Sequence, residues 1–253
     1  MILDLFRLTG KNALVTGSSR GLGAGIALAL AEAGANVALH GSQGVPVEVV
    51  DRVARTGVRH VELAADLRGP ERCPELILQT IAALGSIDIL INNAGMIRRG
   101  PAVSFSSEDW SEVLNANLTS VFRLCQSAGV HMLARGSGKI VNIASMLSFQ
   151  GGVRVLSYAA AKGGVAQLTK ALANEWAAGG VQVNAIAPGY MATDNTEVLR
   201  NDPTRSRQIL ERIPAGRWGS PQDVAGTAVF LASPASDYIN GHILAVDGGW
   251  LGR

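Results

Sequence analysis

The stretch from Asn12 to Gly34 reads NALVTGSSRGLGAGIALALAEAG. Its first residues form a short apolar run, its last are apolar all round a helical turn, and Gly17, Gly21 and Gly23 stand between the two. A strand, a tight turn and a helix buried on every side make the opening unit of a parallel sheet covered on both faces. The glycine spacing is G-x-x-x-G-x-G. Missing side chains there let backbone N–H groups and the positive end of the helix approach a pyrophosphate, so Gly17, Ser19, Arg20, Gly21, Leu22 and Gly23 are candidate dinucleotide contacts. A turn with no ligand would use the same glycines, but its place as the first unit of an alternating chain favours the ligand.

Outward from this unit, apolar or β-branched runs recur between segments of helical period: NVALHG, VRHVEL, IDILINNAG, GKIVNIAS, VQVNAIAPG and HILAVDGG. Together with NALVTG they predict a seven-stranded, parallel, doubly wound α/β sheet of Rossmann type with helices on both faces, in a single domain over residues 1–253. The first helix is expected to end at Gly34, a plausible C-cap. The segment SSEDWSEVLNANLTSVFRLCQSAGVHML reads as one helix capped by Ser107, with acids in its first turn. From about 190 to 218 the rhythm breaks. This polar stretch, with Pro203 and Pro214, is expected to form a helical flap over the carboxyl ends of the strands.

Composition narrows the function classes. A net charge of +2, from 22 basic and 20 acidic residues, with no basic run beyond Arg98-Arg99, gives no footprint for nucleic acid or an anionic membrane. Partners are expected to be small molecules and copies of the chain itself. The opening MILDLFRLTG places an acid and a base where a signal core would be apolar, so a cytoplasmic protein is expected. Cys73 and Cys125 stand far apart, with no C-x-x-C and no histidines at ligand spacing, so neither a disulfide nor a metal site is expected.

Where a dinucleotide site often offers an acid to the ribose, at the end of the second strand, the chain reads His40-Gly41-Ser42-Gln43. Neither acid nor fixed cation is there, so NAD and NADP both remain open, with Arg20 able to pair with a 2′-phosphate. Asp66, after the third strand, suits a hydrogen bond to the adenine amino group, and NNAG after the fourth lets the backbone pass close to the adenosine ribose.

The stretch SMLSFQGGVRVLSYAAAK, from Ser145 to Lys162, sets a serine thirteen residues before a Y-x-x-x-K pair. Tyrosine and lysine four apart share a helical face. A free tyrosine, with pKa about 10, is a poor base near neutrality, and an adjacent ammonium favours its ionised form. With Thr16 to Gly23, Asn92 to Gly95, Asn117 and Pro188-Gly189 in the same order, these residues resemble the short-chain dehydrogenase/reductase family over nearly the whole chain. The resemblance implies hydride transfer with a nicotinamide cofactor. It makes Asn117, Ser145, Tyr158 and Lys162 a catalytic tetrad, with Asn117 anchoring a relay water. It places Leu67, Asn93, Ala94, Gly95, Pro188, Gly189 and Met191 against the cofactor, together with Tyr158 and Lys162, and implies a homotetramer.

IASMLSFQGG, AIAPGYMATDNTEVLR, RIPAGRWG and AVDGGWLGR are similar to a bacterial subgroup of that family that acts on deoxy sugar acids, generally with NAD. A sugar acid needs a cation for its carboxylate and polar groups for its hydroxyls. Ser145, Gln150, Arg154 and Tyr158 are the expected substrate contacts, and Arg98, Arg99, Arg217 and Asn195 fall in segments expected at the rim. Two alternatives remain: an NADPH-dependent 3-oxoacyl-thioester reductase, suggested by Arg20, and a non-catalytic dinucleotide-binding protein.

Overall fold

The computed structural model describes residues 1–253, except for the side chain of Asn195, so the expectation placed on that side chain lies outside the described residues. The strands are β1 (Asn12–Val15), β2 (Asn36–Gly41), β3 (His60–Ala64), β4 (Ile89–Asn92), β5 (Gly138–Ile143), β6 (Val181–Pro188) and β7 (Ile243–Val246). They form one seven-stranded sheet in the order β3-β2-β1-β4-β5-β6-β7. Every pairing is parallel. All residues of β1, β4 and β5 are buried, which is why these strands read as largely apolar runs rather than alternating ones. β1 pairs with β2 on one side and β4 on the other, with Ala13 opposite both Val37 and Ile89. The chain runs outward from β1 to β2 and β3 and then crosses back to β4 on the other side of β1, and that reversal opens a crevice at the carboxyl ends of the strands.

The helices are α1 (Gly21–Glu32), α2 (Val47–Ala54), α3 (Cys73–Leu84), α4 (Ser107–Leu114), α5 (Ser120–Arg135), α6 (Leu156–Trp176), α7 (Glu197–Asn201), α8 (Pro203–Leu210) and α9 (Pro221–Ala232). On one face of the sheet α3, α5 and α6 bury Leu76, Ile77, Leu124, Met132, Val165 and Trp176. On the other, α1 and α9 bury Ile26, Leu30, Val224 and Leu231. The first of these layers also holds Cys73 and Cys125, both free thiols, which burial pushes up to a pKa of about 12. A polar seam crosses it: Asn92 Nδ2 donates to Asn142 Oδ1 at 2.8 Å, and Asn142 Nδ2 donates to Thr169 Oγ1 at 3.0 Å.

Two details depart from the sequence reading. Ser106, not Ser107, caps α4, because its Oγ accepts the Asp109 N–H at 3.0 Å. The expected single helix is also divided: a π-turn over Asn115–Thr119 separates α4 from α5 and carries Asn117. After β6 the chain passes through Asp194–Thr196 into α7 and α8. A small third core lies under this segment, made of Met146, Ile209, Ile213 and Trp250. Trp250 reaches it from beyond β7, with its ring centroid 4.8 Å from that of Tyr190 and 4.0 Å from the Arg212 guanidinium carbon.

Candidate active site

A cleft of about 630 Å³ runs along the carboxyl ends of the strands at the reversal beside β1. One end is built from the glycine turn. Gly17 has φ +64°, and a Cβ at Gly23 would stand 2.1 Å from the Gly17 carbonyl oxygen, so the turn closes in this shape only with glycine at both positions. Asn93 holds it from β4: its Nδ2 donates to the carbonyl oxygens of Thr16 and Gly17 at 2.9 and 3.0 Å. Among the described residues no side chain caps the start of α1, so its first-turn amides face the cleft as an anion site. The cradle therefore fits the phosphates of a dinucleotide.

Ser19, Arg20, Gly21, Leu22, Asp66, Leu67, Asn93, Ala94 and Gly95 all line this end, beside His40, Gly41 and Ser42. Arg20 reaches across to Asp194, with 3.4 Å between the charged groups and both side chains exposed. Asp66 is engaged by Arg68 at 2.6 Å, and that guanidinium holds its carboxyl below the usual range. Arg68 extends to Glu112 on α4 at 2.9 Å, and Glu112 also binds Arg98 at 2.8 Å. Arg98 is thus committed to α4. Pro188 and Met191 stand outside the lining, which Gly189 reaches instead; Met191 is 5% exposed and forms a bridge with Gly219.

At the other end Asn117, Ser145, Tyr158 and Lys162 meet. Ser145 lies two residues beyond the end of β5, and its Oγ accepts the Leu147 N–H at 3.1 Å, which fixes it at the start of a short turn. Tyr158 and Lys162 sit one turn apart on α6. Lys162 is 3% exposed, and its Nζ donates to the Ile143 carbonyl at 2.6 Å while lying 5.5 Å from the Tyr158 ring centroid. Burial brings the Lys162 pKa down to about 8. Burial pushes Tyr158 up to about 12, opposed by a hydrogen bond with Ser145 and the charge of Arg99. The sequence reading had Lys162 lowering the tyrosine. In the structure that ammonium is turned to Ile143, and burial dominates. Asn117 spends its amide on the backbone, Nδ2 donating to Met96 and Val113 carbonyls at 2.8 Å each and Oδ1 accepting the Met96 N–H at 3.2 Å. A water relay at Asn117 would need its main chain.

Of the cations expected near the substrate, Arg99 is the one that lines the cleft and acts on Tyr158. Arg154 stands outside the lining, exposed, with φ +62°, and contributes its carbonyl to the Gly100 N–H at 3.1 Å. Arg217 is bound to Asp223 at 2.7 Å, also outside. Gln150 lines the cleft, and its Oε1 accepts from Trp250 Nε1 at 3.3 Å. Tyr190, Leu199 and Arg205 bring the flap segment to the lining. These three, with Arg68, carry no signal in spacing, because only the fold delivers them to the cleft. Among the described residues no group of histidine, cysteine and carboxylate side chains could hold a metal, and no helix is long and apolar enough to cross a membrane.

Comparison with known proteins extends the match across the molecule. A family model described as enoyl-(acyl carrier protein) reductase matches residues 17–251. The 2-dehydro-3-deoxy-D-gluconate 5-dehydrogenase of Escherichia coli K12 is 56% identical over 255 residues, covering all of both chains. A solved structure named provisionally as a 2-deoxy-D-gluconate 3-dehydrogenase from Agrobacterium tumefaciens, with bound NADP, is 54% identical with a TM-score of 0.93, covering 98% of this chain and 99% of that one. A gluconate 5-dehydrogenase from Burkholderia cenocepacia, in complex with NADP and tartrate, is 40% identical with a TM-score of 0.91 over the whole of both chains. Sheet order, glycine turn, the serine, tyrosine and lysine at one cleft and full-length identity to named dehydrogenases agree on one conclusion: the chain belongs to the short-chain dehydrogenase/reductase family.

Proposed function

We propose that this enzyme interconverts a secondary hydroxyl and a ketone on a deoxy sugar acid, as a dehydrogenase of the 2-dehydro-3-deoxy-D-gluconate 5-dehydrogenase type. The observation that carries the reading is a single cleft with Ser145, Tyr158 and Lys162 at one end and a bare-glycine phosphate cradle at the other, with Arg99 on its lining. A guanidinium pairs a carboxylate bidentately, and a small hydroxy acid held there has its hydroxyl within the region of Ser145 and Tyr158. The relatives' names support the same substrate class.

When bound, a nicotinamide dinucleotide supplies the hydride acceptor for oxidation and the donor for reduction. Gly17, Gly21 and Gly23 would hold its phosphates, Asp66 its adenine amino group, and Asn93 the turn itself. Ser145 donates a hydrogen bond to the substrate oxygen and holds the carbon against the cofactor side of the cleft. In oxidation the Tyr158 oxygen takes the hydroxyl proton, and in reduction it returns one. Lys162, its Nζ 5.5 Å from the Tyr158 ring centroid, and the charge of Arg99 favour the phenolate against burial. Asn117 positions the Met96 loop, which leads to Arg99. The end of β2 carries no acid, which supports use of either NAD or NADP, and we infer that Arg20 leaves Asp194 to pair the 2′-phosphate when NADP binds. The bound NADP in the two solved relatives supports that tolerance.

We further infer a cytoplasmic homotetramer, supported by apolar side chains left exposed on α4 and α5, including Trp110, Phe122 and Val130. The test of function is to mix the protein with NAD or NADP and a panel of deoxy sugar acids, following the absorbance of reduced nicotinamide. Turnover confined to 3-oxoacyl thioesters would overturn the sugar-acid reading, and binding of the cofactor with no turnover on either class would overturn the catalytic one. The acyl alternative draws on the description of the matching family model.

A further inference from the structure

The geometry points to His40 as the positioning residue that sets the dinucleotide turn, and this rests on reading the cleft's glycine end as a nicotinamide-cofactor site. His40 ends β2 one residue before its last and is 2% exposed. Its ring lies between two loops: Nδ1 is 3.1 Å from the Gly17 amide nitrogen and Nε2 is 3.0 Å from the Ala65 carbonyl oxygen. The main chain of the same residue grips the neighbouring position. His40 N–H donates to Ser18 Oγ at 2.8 Å, and its carbonyl accepts the Ser18 N–H at 2.8 Å. One residue therefore fastens Gly17 and Ser18 to β2, and the exit of β3, leading to Asp66, to the same ring.

The partners dictate the chemistry of that ring. A carbonyl oxygen at Nε2 requires a proton there, and an amide N–H pointing at Nδ1 requires a lone pair. Only the neutral Nε2–H tautomer satisfies both. A second proton at Nδ1 sets two donors against each other across a buried contact, so the Gly17 amide must turn away. Gly17 has no side chain of its own, so its amide can turn away at the expense of the Asn93 contact to the Thr16 carbonyl in the same peptide plane. Charging His40 thus releases the first residue of the phosphate cradle. The charged or titratable residues on the packed elements are Arg20 on the turn, Glu32 at the far end of α1, His60 and Glu62 on β3, Asp66 and Arg68 at its exit, and Cys73 and Glu75 on α3. Arg20 is paired with Asp194 and Asp66 with Arg68. None of them forms an ion pair with the ring among the described residues. Burial lowers the His40 pKa, partly offset by the Ala65 carbonyl.

The sign follows. A group that must be neutral to support binding leaves affinity intact above its pKa and removes it as the pH falls below, from the ordinary histidine value of about 6.5 downward. The sequence reading saw no cofactor contact at His40 because the residue offers neither an acid nor a fixed charge to the ribose. Its contribution runs through Gly17.

The test measures the Kd for NAD by calorimetry between pH 7.5 and 5.0 on the parent, His40→Gln and His40→Leu, with melting temperature and kcat at saturating NAD recorded alongside. NAD is the probe because the 2′-phosphate of NADP titrates in the same range. Expected are a parent Kd that rises roughly tenfold on acidification, a His40→Gln Kd already raised about tenfold at pH 7.5 and flat with pH, and a kcat within about threefold of the parent. If His40→Leu does not fold, His40→Gln and the parent's own profile still decide. A parent Kd that does not change with pH, or variants that bind NAD as the parent does, would overturn the inference. A parent that binds neither NAD nor NADP at any pH would instead overturn the cofactor reading beneath it.

Discussion

Tyr158 and the two cations near it set the chemistry at the scale of single residues. Removing the hydroxyl leaves the ring packing intact and deletes the proton carrier, so Tyr158→Phe should lower kcat by roughly 10²- to 10⁴-fold while the Kd for cofactor stays within about twofold. Turnover near the parent level would show that another group moves the proton. Because burial raises the Tyr158 pKa to about 12, its ionised form grows throughout the neutral and alkaline range. Oxidation should therefore quicken as pH rises, while reduction, which uses the protonated form, should stay flat until the pH nears that value, and kcat/KM profiles in the two directions will read the difference. Arg99 and Arg154 separate on the same reasoning. Loss of a charge-assisted contact costs about 1.5–3 kcal/mol, so Arg99→Ala should reduce kcat/KM for the sugar acid roughly ten- to a hundredfold. Arg154→Ala, at an exposed site outside the cleft, should change it by less than about threefold. The reverse ranking would place the carboxylate on the α6 approach. Sequence alone ranked Arg154 higher because it lies four residues from Tyr158, whereas Arg99 reaches the same tyrosine from the loop after β4, a juxtaposition that only the sheet order creates.

Among the elements, the glycine turn and the π-turn were not equally legible. The central strands were readable because a buried parallel strand has no polar face, and the glycines because each replaces a side chain the turn cannot hold. Gly23→Ala tests the second point: its Cβ would press on the Gly17 carbonyl, so the variant should melt several degrees lower and lose most of its affinity for NAD(P). An alanine that left both unchanged would mean that the turn has another conformation available. The π-turn left no mark in NANLT, which contains no helix breaker. What shapes it is tertiary: Asn117 bonds to Val113 within its own helix and to Met96 on the neighbouring loop. A side chain that serves two elements cannot be assigned from either alone. The Ser106 cap shows a smaller version of the same limit, since two adjacent serines are equivalent in sequence and only the backbone direction chooses between them.

Across the molecule, the segment between β6 and α9 is attached to the sheet through its own small core, and Trp250 joins that core to Gln150. Trp250→Ala empties this contact without touching the glycine turn. It should raise KM for the sugar acid about tenfold, with the Kd for cofactor nearly unchanged, since a large buried side chain removed from a core costs about 3–5 kcal/mol locally. Equal losses in both constants would show that the segment and the cradle move as one body. The two thiols offer a different opportunity. Burial pushes Cys73 and Cys125 up to about 12, which keeps both as thiols at neutral pH, and both are sealed in the interior. Maleimides and mild oxidants should pass them by. A cysteine introduced at exposed Val198 on α7 would then be the single reactive position, and a fluorophore placed there could report the movement of this segment over the cleft in an otherwise unaltered protein.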